Sequence, residues 1–446
     1  MTTTREHPAD ALRRAAPGIG AVAGTALTVA GVVGTGVLVL PALAVRQAGP
    51  AALVAVGALL VLSVPLAATF AALGARFPSG GGVAGFVARA MGSRTATVTA
   101  WWFYFGVPLG IPALGLFAGD YVEAAVGGGS GTRVATALAL IALAAAANVR
   151  GVRISGGVQV ALTGVLVASL IVVLVLCVPA ADFHRLTPVA PHGWAAVAPA
   201  ALVLVWLLTG WEAVTHLTGR FRNPARDVPR ATAATLIVVA VLFGGLTLAL
   251  ITVPGPATAT APVTALLATR LASGGGLIAA ALAVVVTVGT ANAYLAGLAE
   301  LGAEMGRTGR GPRWFAGHPC SDIPGRSLSV VTVQALVSLG LVAAFGWSTE
   351  HLVLLTAASQ VAVYAAGLIA ALRLLPRRSS GWWAAAVSLP PIVVLGLLSG
   401  WYLLAPAGLA VAALAHRHLT TGGQNVAIGL TGLPDVPAKR TGATAR

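Results

Sequence analysis

The chain has 446 residues, of which 57% are hydrophobic and only 9% charged, with a mean hydropathy of +0.91 and a formal net charge of +15. Average soluble chains carry about 25% charged residues, so a soluble globular core is excluded and a polytopic membrane protein fits. In a soluble protein such a charge would point to nucleic acid, but here almost no polar surface remains on which to build a basic face, and nucleic acid is excluded as a partner.

A polar segment, 1–17, holds Arg5, Arg13 and Arg14. It resembles the start of a signal peptide, but the apolar run behind it is too long and many more follow, which makes that run a first spanning helix. Crossing a bilayer takes about 20 apolar residues. Apolar spans lie near 19–45, 50–74, 96–119, 133–149, 157–181, 195–218, 231–253, 276–302, 328–346, 350–375, 381–398 and 400–416, twelve in all. Between them, Gly127–Gly131 reads as a flexible loop. The loop 254–275 is rich in Pro, Ala and Thr, and its stretch Pro262–Leu271 predicts a short helix over the outer mouth. The segment 417–446 is polar and predicts a disordered tail.

The first span is interrupted. Its middle reads Gly31-Val32-Val33-Gly34-Thr35-Gly36-Val37, with Pro41 behind, poor material for a continuous helix. Two half-helices with a gap at Gly34–Gly36 would present the N–H groups of Thr35, Gly36 and Val37 at a positive helix end, which attracts an anion. Such breaks mark the substrate sites of many secondary transporters. A Gly-rich helix packed tightly on a neighbour gives the same letters, and the run alone does not separate the two.

The sixth span contains Trp206-Leu207-Leu208-Thr209-Gly210-Trp211-Glu212. A carboxylate at membrane depth costs about 2.5–3.5 kcal/mol on insertion scales and marks a functional position by default. Glu212 is accordingly a candidate proton-coupling group, or else a carboxyl that holds the helix in shape by hydrogen bonds. Thr209-Gly210 offers a second break, whose freed carbonyls suit a cation. N–H groups from one break and C=O groups from the other match a zwitterion. The breaks open spans 1 and 6, so they predict two inverted five-helix repeats.

With the N-terminus in the cytoplasm, 23 of the 27 arginines and lysines fall on the cytoplasmic side, and only Arg46, Arg133, Arg185 and Arg270 on the other. This asymmetry fits the positive-inside rule and an even number of spans, with both termini cytoplasmic. Cys177 and Cys320 are placed on opposite sides, the eight histidines are scattered, and Lys439 is the only lysine. No disulfide, metal site, cofactor or catalytic lysine is expected.

Four motifs in order resemble the amino acid–polyamine–organocation superfamily: Gly34-Thr35-Gly36 with Pro41; Pro78-Ser79-Gly80-Gly81; Gly210-Trp211-Glu212; and Asn223-Pro224 with Pro229-Arg230. The resemblance covers residues 18 to about 416. Gly81-Gly82-Val83-Ala84, Gly92-Ser93-Arg94, Pro108-x-Gly110-x-Pro112-Ala113 and Asn292-x-Tyr294 are similar to its bacterial L-methionine and branched-chain amino acid exporter branch. It implies an all-α fold of about twelve helices, two inverted five-helix repeats plus two extra helices, with helices 1 and 6 discontinuous. The implied boundaries are a tail, 1–17; a transporter domain, 18–416, with repeats near 18–181 and 195–375 and extra helices near 381–416; and a tail, 417–446. It also implies alternating access, a proton gradient, export of neutral amino acids, a plasma-membrane location, and a monomer or homodimer. Trp206 sits where related carriers place an aromatic lid. The chain departs from the family at Thr218-Gly219-Arg220, where many relatives carry acids, and at Glu300, where relatives often carry a base.

The expected binding residues are Gly34, Thr35, Gly36, Val37, Trp206, Thr209, Gly210, Trp211 and Asn292, with Tyr104 a further cavity candidate. Only Glu212 is charged among them, and burying a lone charge is costly. Neutral, hydrophobic amino acids (Met, Leu, Ile, Val) are therefore the expected substrates. An importer of the same superfamily and a non-transporting sensor are the competing readings. An enzyme would need a buried nucleophile and base, paired aspartates or a metal cluster, which the spans do not offer.

Overall fold

The computed structural model describes residues 19–77, 82–151, 156–212, 221–271, 274–317 and 324–430. The tail 1–17, Pro78–Gly81, Thr218–Arg220, Cys320 and residues 431–446 lie outside these. Among the described residues regular structure is helical, apart from an isolated bridge pairing Ile19 with Phe221.

The first span divides into α1 (Ala21–Val33), a 3-10 turn (Thr35–Leu38) and α2 (Leu40–Ala48), and α3 (Ala52–Arg76) returns across the membrane. Helix α4 (Gly82–Trp101) bends at Gly92. Behind it come a π turn at Trp102–Gly106, a 3-10 turn at Val107–Leu109, and α5 (Gly110–Val126). Pro108, whose ring cannot donate to the ladder, lies where that third span changes its winding. Helices α6 (Gly129–Val149) and α7 (Gly156–Cys177) complete five spans.

The second half also opens on a broken span, α8 (Val197–Val203) with a 3-10 turn at Leu204–Leu208. Then follow α9 (Pro224–Thr252), the short α10 (Pro262–Ala268), α11 (Gly275–Arg307), α12 (Gly325–Phe345), α13 (Thr349–Leu374), α14 (Ser380–Leu398) and α15 (Leu404–Leu430). Nine helices among the described residues are long and apolar enough to cross a membrane. The other three expected spans are the two interrupted ones and the last. Helix α15 runs on to Leu430, past the expected span end at 416 and into the stretch read as a disordered tail.

Burial sorts these helices. The stretch Gly82–Val126 and α13 are mostly enclosed, whereas Val61 on α3, Ile237 on α9 and Leu397 on α14 are 73%, 65% and 71% exposed. Exposed aliphatic side chains in mid-span face lipid, which is as apolar as they are. Thus α1, α5, α11 and α13 surround the centre, and α14 and α15 lie against α13 at one side.

Tyr121 on α5 links three elements near one membrane face. Its hydroxyl donates to Leu38 O (2.8 Å) and accepts from Val263 N (3.2 Å) of α10. Nearby, Gln47 Nε2 at the end of α2 donates to Glu350 Oε1 of α13 (2.5 Å). The Asp120–Arg133 ion pair (2.6 Å) joins α5 to α6 on the same side.

Candidate functional site

Both helix breaks have a local cause. At Gly34 the backbone takes φ 42° and ψ −161°, and α1 ends there; a positive φ is costly for any residue with a Cβ. At the second break Thr209 is extended (φ −69°, ψ 140°) and Gly210 has φ 103°. A Cβ at Gly210 would lie 2.8 Å from both the carbonyl carbon and oxygen of Gly31. Only glycine lets the two broken spans touch backbone to backbone. The last carbonyls of a helix such as α1 lack intrahelical partners, and the carbonyl of Gly31 lies at this crossing.

A cavity, partly open to its surroundings, lies beside it. One wall is the first break, Gly31 to Gly34 with Gly36. Trp206, Thr209 and Glu212 come from the second. Gly110, Ile111 and Leu114 of α5 and Phe243 of α9 supply apolar surface. Thr290 and Tyr294 of α11 and Thr356 and Gln360 of α13 supply polar groups.

Of the nine residues read as binding, Gly34, Gly36, Trp206 and Thr209 line the cavity, as does Glu212, and the other five do not. Thr35 turns its hydroxyl onto Thr287 of α11 (2.8 Å), pinning the first break to the eighth span. Val37 and Trp211 are fully enclosed in the core. Gly210 is occupied by its contact with Gly31. Asn292 faces away: its Oδ1 accepts from Asn148 Nδ2 (2.8 Å), joining α11 to α6. Tyr104 is likewise remote, hydrogen-bonded to Ser327 Oγ (2.9 Å) on α12.

Among the described residues, Glu212 is the charged side chain of the cavity wall, and it is held from three sides. Its Oε2 accepts from Gly210 N–H (3.0 Å) and contacts the Tyr364 hydroxyl, while Oε1 accepts from Gln360 Nε2 (3.2 Å). The Tyr364 hydroxyl also donates to Leu208 O (2.5 Å), so α13 grips both sides of the second break. The Thr209 hydroxyl donates to Trp206 O (2.6 Å).

Sequence reasoning missed Thr290, Tyr294, Thr356, Gln360 and Tyr364. A signal for three of them was present. Thr356, Gln360 and Tyr364 follow one another at four-residue spacing, which puts three polar groups on one face of an apolar helix. Two side chains of the wall remain unsatisfied: Trp206 Nε1 and Thr356 Oγ1 are buried without a protein partner. They meet the same patch of wall, since a Cβ at Gly110 would lie 2.9 Å from Trp206 Cζ2 and 3.4 Å from Thr356 Cγ2.

Known proteins have related sequences. The family model described as amino acid permease matches residues 19–421. The chain is 30% identical over 398 residues to the uncharacterized amino acid permease YecA of Bacillus subtilis (strain 168), covering 88% of this chain and 93% of that one. It is 34% identical over 237 residues to the L-methionine/branched-chain amino acid exporter YjeH of Escherichia coli (strain K12), covering 51% of this chain and 55% of that one. It is also 28% identical over 331 residues to the uncharacterized transporter Rv1999c of Mycobacterium tuberculosis (strain ATCC 25618 / H37Rv), covering 72% of each. These relatives are permeases and transporters, not enzymes. The chain belongs to the amino acid permease family and is a multi-pass, all-helical membrane protein built around two broken spans.

Proposed function

We propose that the protein is a secondary active transporter of neutral, hydrophobic L-amino acids (Met, Leu, Ile, Val), exporting them from the cytoplasm across the plasma membrane in exchange for protons. The observation that carries the substrate class is the cavity wall. Among the described residues, Glu212 is its single carboxylate, it is already held by Gly210, Gln360 and Tyr364, and no arginine, lysine or histidine lines the space. A charged substrate side chain would be buried there unpaired, at high cost. The zwitterionic head suits the helix breaks, with its carboxylate at the N–H groups beside Gly36 and its ammonium at the carbonyls freed before Thr209.

Proton exchange rests on Glu212. A tyrosine hydroxyl has one proton to give, and Leu208 O can only accept. With Tyr364 donating to Leu208 O, its contact with Glu212 is a hydrogen bond when the carboxyl carries the proton. Losing that proton would leave Tyr364 choosing between Leu208 and Glu212, and would loosen the grip of α13 on the second break. This gives protonation a mechanical consequence at the hinge between half-helices.

The unsatisfied Trp206 Nε1 and Thr356 Oγ1 favour methionine within the set, because a thioether sulfur is a weak acceptor where a leucine methyl offers nothing. Export follows the exporter named above, which matches half of this chain. Termini in the cytoplasm follow from the arginine distribution. The test is a competition panel of the proteinogenic amino acids in proteoliposomes, with and without a pH gradient. Competition confined to neutral apolar members supports the reading; competition by arginine or glutamate equal to that by methionine refutes it.

A further inference from the structure

Gly110 opens α5 with φ −76° and ψ −21°, ordinary right-handed helical angles. Any residue adopts them, and alanine is the better helix former. The backbone therefore gives no reason for a glycine at this position. The surroundings give one. A Cβ at Gly110 would lie 2.9 Å from Cζ2 and 3.1 Å from Cη2 of Trp206, and 3.4 Å from Cγ2 of Thr356. The space of the missing side chain is taken by the edge of the indole.

Other groups fix that indole as well. Phe117 lies seven residues beyond Gly110, on the same face of α5. It is buried, and it meets the indole edge-on with ring centroids 6.4 Å apart. At the first break, the Cβ position of Gly36 lies 3.5 Å from Trp206 Cε3, an ordinary van der Waals contact. The indole thus bridges the first break and the third span, with a glycine against it at each end and a phenyl ring at its flank. Its remaining side is the cavity, which Gly36, Gly110 and Trp206 all line.

A methyl group on Gly110 would press on the tips of two side chains, Trp206 and Thr356, and on no backbone atom. Gly210 differs, since its Cβ would strike the backbone of Gly31 at 2.8 Å. At Gly110 the helices can keep their places while the ring moves. Protein interiors are close-packed, so the ring moves toward the one adjoining space, and the cavity shortens. Gly110 thereby governs the depth of the cavity rather than the assembly of the fold.

We propose that Gly110 is a specificity-determining residue: by letting the Trp206 indole lie back against the third span, it sets the length of substrate side chain that the cavity admits. The inference rests on the reading of this cavity as an amino acid site.

The test compares leucine with valine, which differ by one methylene, as competitors for uptake into proteoliposomes holding the full chain. In Gly110→Ala the affinity for leucine relative to valine should fall about tenfold, the scale of one methylene too many in an apolar pocket. In Gly110→Ala/Trp206→Phe, whose smaller ring draws back from the added methyl, the ratio should recover. Gly340→Ala, at an exposed position of α12 where a Cβ would meet nothing within 4 Å, should leave the ratio alone. The wild-type panel judges the substrate class separately: if another class of amino acid is preferred, the ratio is read for two of its members one methylene apart. An unchanged ratio in Gly110→Ala, an equal loss of both competitors, or a loss that Trp206→Phe does not repair overturns the inference, as does the same fall in Gly340→Ala. If Gly110→Ala is not monodisperse, Trp206→Phe alone reads the opposite sense: phenylalanine should gain on leucine, and no gain overturns the inference.

Discussion

Gly210 rests directly on Gly31, with space for no side chain between them: a Cβ on Gly210 would come within 2.8 Å of the Gly31 carbonyl. This contact locks together the two interrupted spans and sets one wall of the cavity. Gly210→Ala adds a clash to the strain of φ 103°, itself about 1–2 kcal/mol. Gly34→Ala carries the dihedral strain alone, since its nearest neighbour is Thr290 Cγ2 at 3.4 Å. Thermal melts and uptake assays should rank Gly210→Ala as the more damaging. Wild-type uptake in Gly210→Ala would show that the contact does not matter.

Trp206→Phe keeps an aromatic wall against Gly110 but removes the unpartnered indole N–H. Methionine should lose affinity relative to leucine in competition assays, by an amount on the scale of one weak hydrogen bond, about 1 kcal/mol or fivefold. An unchanged methionine-to-leucine ratio would mean that the indole N–H does not meet the substrate.

Tyr364→Phe removes the hydroxyl that contacts both Leu208 O and Glu212. Hydrogen bonds between membrane helices average about 0.6 kcal/mol, so the variant should fold, with melting lowered by a few degrees. Its exchange rate should change far more than its substrate affinity, because the bond spans a hinge rather than the cavity. A change confined to affinity would assign Tyr364 to substrate binding instead.

Tyr121→Phe breaks the link from the first break to α10. It strips Leu38 O and Val263 N of a partner, and each unsatisfied buried group costs about 1–3 kcal/mol. Melting should fall more than for Tyr364→Phe. Equal melting of the two variants would contradict this ordering.

Much of the architecture could be read from hydropathy. Long apolar runs and sparse charges define the spans, and glycines inside two of those runs permit the breaks, where Gly34 and Gly210 take positive φ; the letters alone fit a tightly packed helix as well. The far ends were less legible: the helix continuing to Leu430 has no apolar signature beyond 416. The cavity was half legible. Gly34, Gly36, Trp206, Thr209 and Glu212 announce themselves by breaking a pattern within one span. Asn292 broke a pattern as well, yet it bonds Asn148 across the bundle, because a polar residue in a membrane helix serves packing as readily as binding. Thr290 with Tyr294, and Thr356 with Gln360, are marked as polar faces by their four-residue spacing, but that these faces turn to the cavity follows from the mutual rotation of α11 and α13, which tertiary packing sets.

The account turns on Glu212 carrying the proton that drives the cycle. Glu212→Gln keeps the size of the side chain and its acceptor for Gln360 while fixing it as neutral. In proteoliposomes this variant should lose transport driven by a pH gradient and retain counterflow exchange of labelled methionine. Normal pH-driven transport by Glu212→Gln would contradict the account.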